Sequence, residues 1–296
     1  MKRRVGVTAA LVVALPIAAC GAPGPEEEPP QPEQVMEYDY VALGDSYAAM
    51  GSRDAATGPE FCLRSTDNYP SLVAADERVR SSTDVTCQGA RIPDLLNPRP
   101  ADSGELAPQL AALGTDTDLV TLSIGGNDLG FGEIIGCVQE NLLGDAQVDC
   151  AARLEGTVRT HLAALPEELD ELYRHIEDYS GGADVIATGY LPILPEAQTC
   201  PEVAAISPAD REWAGRLTAE LNGVLTDAAE RNGASFVLPA GAAEHSTCAE
   251  PGQRWTDITG QETGSYPMHP TAAGQAAMAE AVLAELRGSA AETPGD

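Results

Sequence analysis

Five short apolar runs recur along the chain, set between longer stretches of helical periodicity, and this alternation limits the fold more than any other feature. The runs are Tyr38–Leu43, Asp84–Cys87, Leu119–Ile124, Asp184–Thr188 and Ser235–Leu238. Several are rich in valine or isoleucine and bounded by Gly, Asp or Ser, as strands are. Helices are expected over Tyr69–Val79, Ala151–Tyr179, Pro208–Asn232 and Thr271–Leu286. In the last of these, Ala272, Ala276, Ala279, Val282, Leu283 and Leu286 recur at helical spacing. Strands that alternate with helices run in one direction, so the pattern predicts a three-layer α/β/α sandwich around a mostly parallel, five-stranded sheet. Chemistry in such sheets gathers at the carboxyl ends of the strands.

The chain start reads as an export signal. Lys2, Arg3 and Arg4 supply positive charge, and Val5 to Ala19 is an apolar run too short for a comfortable membrane span. It closes on Ile17-Ala18-Ala19-Cys20 and Gly21. A cysteine at the first mature position resembles the bacterial lipobox, whose thiol carries a diacylglyceryl group. An ordinary secretory signal with an incidental cysteine is the other reading. Residues 1–19 are expected as a lipoprotein signal peptide and 20–36 as a Pro/Glu-rich tether. The folded domain is expected at 37–287, with a disordered tail at 288–296. The product would be exported, either held on the outer face of the cell membrane through Cys20 or released.

Composition excludes much chemistry. Lys2 is the only lysine and falls within the signal, so a phosphate-loop lysine, a Schiff base and a serine–lysine dyad are absent from the mature chain. A formal net charge of -29 repels a phosphate backbone, so nucleic acid is not an expected partner. The remaining cysteines, Cys62, Cys87, Cys137, Cys150, Cys200 and Cys248, contain no C-x-x-C pair, which leaves a zinc site without support. Behind an export signal they suggest disulfides of unfixed connectivity. No cofactor is expected, and nothing marks more than a monomer.

Three strand ends carry residues fit for chemistry. The first strand runs into Gly44-Asp45-Ser46-Tyr47, which places a serine at the edge of the sheet; the same residues also fit a helix N-cap. The third runs into Gly125-Gly126-Asn127-Asp128, where Asn127 offers a side-chain amide to a developing oxyanion, or a plain Asx turn. The second leads to Gly89, a backbone donor at the same edge. Among the histidines, His161 and His175 lie in a long helical stretch and His245 in a polar loop. His269 precedes Pro270 and a helix, and the proline fits the first helical turn.

Taken in order, Gly-Asp-Ser-Tyr, Gly89, Gly-Gly-Asn-Asp and His-Pro-Thr-Ala-Ala-Gly resemble the four blocks of the SGNH hydrolases, the GDSL esterase and lipase family. The resemblance implies an SGNH/flavodoxin-like fold and a serine esterase or lipase acting on a small-molecule or lipid ester. It implies Ser46 as nucleophile, His269 as base, and an oxyanion hole from the Ser46 and Gly89 amides and the Asn127 side chain. The six cysteines resemble those of the actinobacterial branch, which implies the sequential pairs Cys62–Cys87, Cys137–Cys150 and Cys200–Cys248. One position departs. The family usually has Asp three residues before the histidine, where this chain has Tyr266. A Ser–His dyad is therefore expected, its imidazole oriented by the carbonyl of Tyr266 or Pro267, with Asp257 a remote alternative. An acyltransferase with the same dyad, and a non-catalytic binding protein on this fold, are the competing functions.

Overall fold

The computed structural model describes residues 37–57, 61–101, 104–144, 147–195 and 198–292. The expected signal peptide and tether lie outside these residues. Strands β1 (Tyr38–Gly44), β2 (Val79–Asp84), β3 (Leu119–Ser123), β4 (Asp184–Thr188) and β5 (Ser235–Val237) form one sheet in the order β2-β1-β3-β4-β5. Every neighbouring pair is parallel. This is the flavodoxin-like order, and its switch point lies between β1 and β3. The connections leave β1 and β3 toward opposite sides there.

The helices are α1 (Ser46–Ala49), α2 (Tyr69–Ala74), α3 (Ile92–Leu96), α4 (Gly126–Leu129), α5 (Phe131–Leu143), α6 (Cys150–Ser180), α7 (Pro208–Arg231) and α8 (Ala272–Glu292). Helices α2 and α8 pack together against the sheet, as do α6 and α7, which completes the α/β/α sandwich. In β3 every residue is buried, as expected of a central strand covered on both faces. Val41, Leu43, Val120 and Leu122 of the central strands meet Leu165, Leu169 and Leu172 of α6 and Val282 of α8 in one core. Disulfides join Cys62 to Cys87, Cys137 to Cys150 and Cys200 to Cys248.

Four expectations need correction. The second strand is Val79–Asp84, not Asp84–Cys87. It is an edge strand whose middle residues are exposed, so Arg80, Ser81 and Ser82 hide it from a hydropathy reading. The helix starting at Tyr69 stops at Ala74, because the chain must turn to enter that earlier strand. Pro270 is not in the first helical turn; with His269 it forms β7 (His269–Pro270), paired with β6 (Thr256–Asp257). Thr271 caps α8 instead, its hydroxyl accepting from the Gly274 amide at 3.1 Å. Finally, α8 continues to Glu292, beyond the Leu286 expected as the end of that helix.

Gln275 of α8 is buried and ties the first two helices together. Its Oε1 accepts from the Tyr69 amide at 2.8 Å, while Nε2 donates to the carbonyls of Tyr47, at 2.9 Å, and Met50. Gln275→Ala would leave these buried groups without partners. The expected cost is about 2–4 kcal/mol in chemical denaturation. A loss under about 1 kcal/mol would show that water or a shift of α8 replaces the clamp.

Candidate active site

The rim of the sheet at β1 and β3 is built by a glycine. At Gly44 the backbone φ is +147°, and a Cβ there would lie 2.4 Å from the Ser123 carbonyl oxygen. Only glycine lets the end of β1 press this close to β3. Gln109 holds the same residue from outside the sheet, with Oε1 accepting from the Gly44 amide at 2.7 Å and Nε2 donating to its carbonyl at 2.9 Å. Chain direction then changes at Asp45, whose Oδ1 accepts from the Tyr47 amide at 2.9 Å. The two readings of this turn therefore separate: Asp45 does the capping. Among the described residues the Ser46 hydroxyl has no hydrogen-bond partner.

Asp45 is buried, and so is the tyrosine that serves it. The Tyr190 hydroxyl donates to Asp45 Oδ2 and accepts from the Gly126 amide at 2.8 Å. Asn127 Nδ2 lies 3.4 Å from the same Oδ2 and donates to the Ala90 carbonyl at 2.9 Å. A Cβ on Gly126 would sit 2.7 Å from the Tyr190 ring, so this glycine makes room for the phenol. Asn222 of α7 grips the backbone of Tyr190 from behind, accepting from its amide at 2.8 Å and donating to its carbonyl at 3.0 Å. Burial pushes the Asp45 carboxyl up to about 7, against the pull of the Tyr190 hydroxyl and the Tyr47 amide; Asp128 adds to the rise.

Gly89 lies beside this group at φ +65°, in the left-handed region. Its loop is fastened to α4, because the Asp128 carboxylate accepts from the Ile92 amide at 3.0 Å. The turns that carry Ser46, Gly89 and Asn127 are thus joined by hydrogen bonds among Asp45, Ala90, Ile92 and Asp128.

His269 is brought in by β7. Its Nδ1 lies 2.8 Å from the Pro267 carbonyl. A carbonyl only accepts, so Nδ1 bears the proton and Nε2 keeps its lone pair. Met268 makes this contact between near neighbours, with φ at +63° folding residue 267 back over 269. The Tyr47 ring is 5.7 Å from the imidazole, centroid to centroid, which sets the serine turn against the histidine loop. Burial lowers the His269 pKa, partly offset by the Pro267 carbonyl. The Asp257 carboxylate is engaged elsewhere, accepting from the Thr259 amide and the Thr263 hydroxyl, each at 2.9 Å, with Arg254 at 3.9 Å. Its backbone carbonyl accepts from the Met268 amide at 2.8 Å. The other histidines are engaged elsewhere: His161 meets the Leu129 carbonyl, His175 lies 3.9 Å from Glu171, and His245 stacks on Trp255.

An apolar cavity of about 50 Å³ opens at Tyr47 and Met268, the chain neighbours of Ser46 and His269, and is walled by Phe131, Ile134, Val138 and Leu217. Sequence reasoning missed these walls, and it missed Gln109, Tyr190 and Gln275. Only Tyr190 left a trace, as an aromatic residue just past the end of the fourth apolar run.

A family model described as the GDSL-like lipase/acylhydrolase family matches residues 42–277. The chain is 37% identical over 251 residues to Lipase 2 of Streptomyces coelicolor, covering 82% of this chain and 83% of that protein. It is 31% identical over 280 residues to a lipase of Streptomyces rimosus, covering 93% and 95%. Among solved structures, phospholipase A1 of Streptomyces albidoflavus superposes with a TM-score of 0.70 at 30% identity, over 84% of this chain and 99% of that one. An extracellular lipase of Streptomyces rimosus gives 0.69 at 30% identity over the same shares.

The ionised form of Asp45 matches the donors around it, since a proton on Oδ2 would oppose Tyr190 or Asn127. Tyr190→Phe removes the strongest of these donors, so the carboxyl should rise further. We expect kcat to fall about tenfold with KM little changed, and the acid limb of kcat to move to higher pH. A melting temperature that drops while kcat per reactive serine and the pH limb stay put would give Tyr190 a purely structural role.

Proposed function

The chain belongs to the GDSL-like lipase/acylhydrolase family and is a carboxylic ester hydrolase; on that footing we propose that it works through a Ser46–His269 dyad, on esters with an apolar acyl group. The single observation that carries this reading is the 2.8 Å contact from His269 Nδ1 to the Pro267 carbonyl. That contact orients the imidazole without a carboxylate and presents Nε2 as a base.

The chemistry follows from the groups at the rim. Ser46 Oγ attacks the ester carbonyl carbon as His269 Nε2 takes its proton. The carbonyl oxygen becomes an oxyanion, held by the amides of Ser46 and Gly89 and by Asn127 Nδ2. The 2.9 Å bond to the Ala90 carbonyl keeps the Asn127 amide oriented, and the proton on the long 3.4 Å contact to Asp45 is the one that turns to the oxyanion. The intermediate collapses, His269 gives its proton to the departing alcohol, and the acyl group stays on Ser46. Water, deprotonated by His269, then attacks the acyl-enzyme and releases the acid. The acyl group fits the apolar cavity between Tyr47 and Met268, where a charged or hydrated group would lose its solvation.

Export to the cell surface completes the proposal. The run Ile17-Ala18-Ala19-Cys20, followed by a Pro- and Glu-rich segment, supports a lipidated Cys20 that tethers the hydrolase on the outer face of the membrane. Wild-type protein should then partition with membranes and incorporate radiolabelled palmitate, and Cys20→Ser should abolish the label. An unlabelled wild-type protein with an unmodified N-terminus would sink the anchor.

For the dyad, Ser46→Ala and His269→Ala should each cost about 10⁴–10⁶ in kcat, and the double variant little more, because nucleophile and base act as one unit. Asp257→Asn should stay within roughly tenfold of wild type, since its charge does not reach the imidazole. A loss as deep as that of His269→Ala in a folded Asp257→Asn protein would replace the dyad with a triad. Activity should rise with pH, because only the neutral imidazole accepts the serine proton. In Asp45→Asn the carboxyl nearest the serine turn no longer titrates, and the acid limb of kcat/KM should have its midpoint below the ordinary histidine value of about 6.5. Asp128, raised to about 6 by burial, is then the carboxyl left nearby.

A further inference from the structure

One peptide of the Gly89 turn is held from behind by a cation. Cys87, Gln88, Gly89 and Ala90 form a β-turn, closed by the Ala90 amide on the Cys87 carbonyl at 3.1 Å. Gly89 has φ +65° and Gln88 has no positive φ, which is the pattern of a type II turn. The central peptide of this turn joins the Gln88 carbonyl to the Gly89 amide. A trans peptide is planar, so these two groups point in opposite directions. Whatever fixes the carbonyl also fixes the direction of the amide.

Arg99 fixes the carbonyl. Its Nη1 donates to the Gln88 carbonyl at 2.7 Å, a charge-assisted bond. The guanidinium is itself held on two sides. Asp94 Oδ2 lies 3.8 Å from its Nε, and the Phe61 ring centroid lies 5.0 Å from its Cζ. Phe61 is kept next to the turn by the Cys62–Cys87 disulfide and by the Gln88 amide, which donates to the Cys62 carbonyl at 3.2 Å. A Cβ on Gly89 would come within 3.0 Å of Arg99 Nη2, so the glycine also lets the cation approach. In a type I turn the central peptide is flipped. The Gly89 N–H would then face the guanidinium, donor against donor, and Arg99 disfavours that state. A cation on the carbonyl end also polarises the peptide and strengthens the N–H at the other end as a donor.

We infer that Arg99 is a positioning residue of the oxyanion hole: through the Gln88 carbonyl it aims the Gly89 amide at the reacting carbonyl and strengthens it as a donor. The inference rests on the reading above, in which the Gly89 amide receives the oxyanion. Arg99 acts through the peptide and not on the substrate.

The test measures kcat and KM for p-nitrophenyl butyrate, and Ki for a trifluoromethyl ketone whose hemiketal with Ser46 carries the oxyanion. Removing an oxyanion donor outright costs about 10²–10³ in kcat; Arg99→Ala only frees one donor to turn away, so kcat should fall about 10–100-fold. KM should stay within about twofold, and Ki for the ketone should rise by the factor that kcat loses. Arg99→Lys keeps a charge for the Gln88 carbonyl and should retain at least about threefold more kcat than the uncharged Arg99→Gln. Arg99, Cys87 and Ala90 line a cavity of about 320 Å³, so Arg99→Ala leaves room for a free guanidinium ion. Millimolar guanidinium should recover part of kcat in Arg99→Ala and none in Asn127→Ala, which lacks the other donor. A folded Arg99→Ala protein with kcat and ketone affinity within about twofold of wild type would overturn the inference. So would a loss of kcat with ketone affinity unmoved and no response to guanidinium. Should Arg99→Ala not fold, equal kcat in Arg99→Lys and Arg99→Gln would overturn it. None of these results touches the dyad reading while Ser46→Ala and Asn127→Ala still lose activity. Ester turnover that survives Ser46→Ala would overturn the dyad reading instead.

Discussion

A single buried carboxylate organises the rim of this sheet. Charge on Asp45 is costly away from water, and its persistence requires donors fixed in place. They come from three directions: the amide of Tyr47, the hydroxyl of Tyr190 and, at a longer distance, the side-chain amide of Asn127. Each donor belongs to a different part of the chain. Satisfying one charge therefore locks the β1 turn, the β3 turn and the end of β4 to each other. Other features follow from that demand. Gly126 must be small so that Tyr190 can approach, and Asn222 must hold the Tyr190 backbone from α7. Because Asp45 takes the capping role at α1, the hydroxyl of Ser46 is left free at the rim.

His269 is held in a different way. Among the described residues no carboxylate is hydrogen-bonded to His269. A backbone carbonyl fixes the tautomer with a dipole, and it brings no charge to desolvate. That solution needs the chain to fold back within two residues. Met268 supplies the fold-back in a left-handed conformation that a non-glycine residue adopts at a cost of about 1–3 kcal/mol. The cost is offset locally, since the Met268 side chain is buried with Val138, Leu194, Val203, Ile206 and Ile258. Asp257 acts on the same loop through its carbonyl, which receives the Met268 amide. Its carboxylate braces the neighbouring turn through Thr259 and Thr263. Asp257 thus shapes the histidine loop without touching the imidazole.

Much of this architecture was legible in sequence, and the reasons differ by element. The central strands β1, β3 and β4 declare themselves because burial on both faces demands continuous apolar runs. The edge strand β2 does not, because hydrogen bonds to one neighbour suffice and its side chains face water. Ser46, Gly89, Asn127 and His269 stand out because each sits in a short pattern at a strand end or helix start, where local backbone needs dictate residue type. The residues that hold them do not. Gln109 reaches Gly44 across a sequence separation of 65, Tyr190 reaches Asp45 across 145, and Gln275 reaches Tyr69 across 206. No local pattern distinguishes a buried glutamine from an exposed one.

The same limit applies to the apolar cavity at Tyr47 and Met268. Its walls come from α5, from the segment after β4, from α7 and from the histidine loop, and each contributes ordinary apolar residues that would suit any core. What makes them a site is the gap they leave, and a gap is a property of packed volumes rather than of any one segment. Gly215 illustrates the point. In sequence it is a poor helix former in a long helix, a local cost of about 1 kcal/mol with no local benefit. In the fold it is one of three residues, with Leu194 and Thr218, that line both the apolar cavity at Tyr47 and Met268 and the open groove past β5. A residue that weakens its own element where two cavities meet is a local inconsistency that packed volumes explain and no local pattern does.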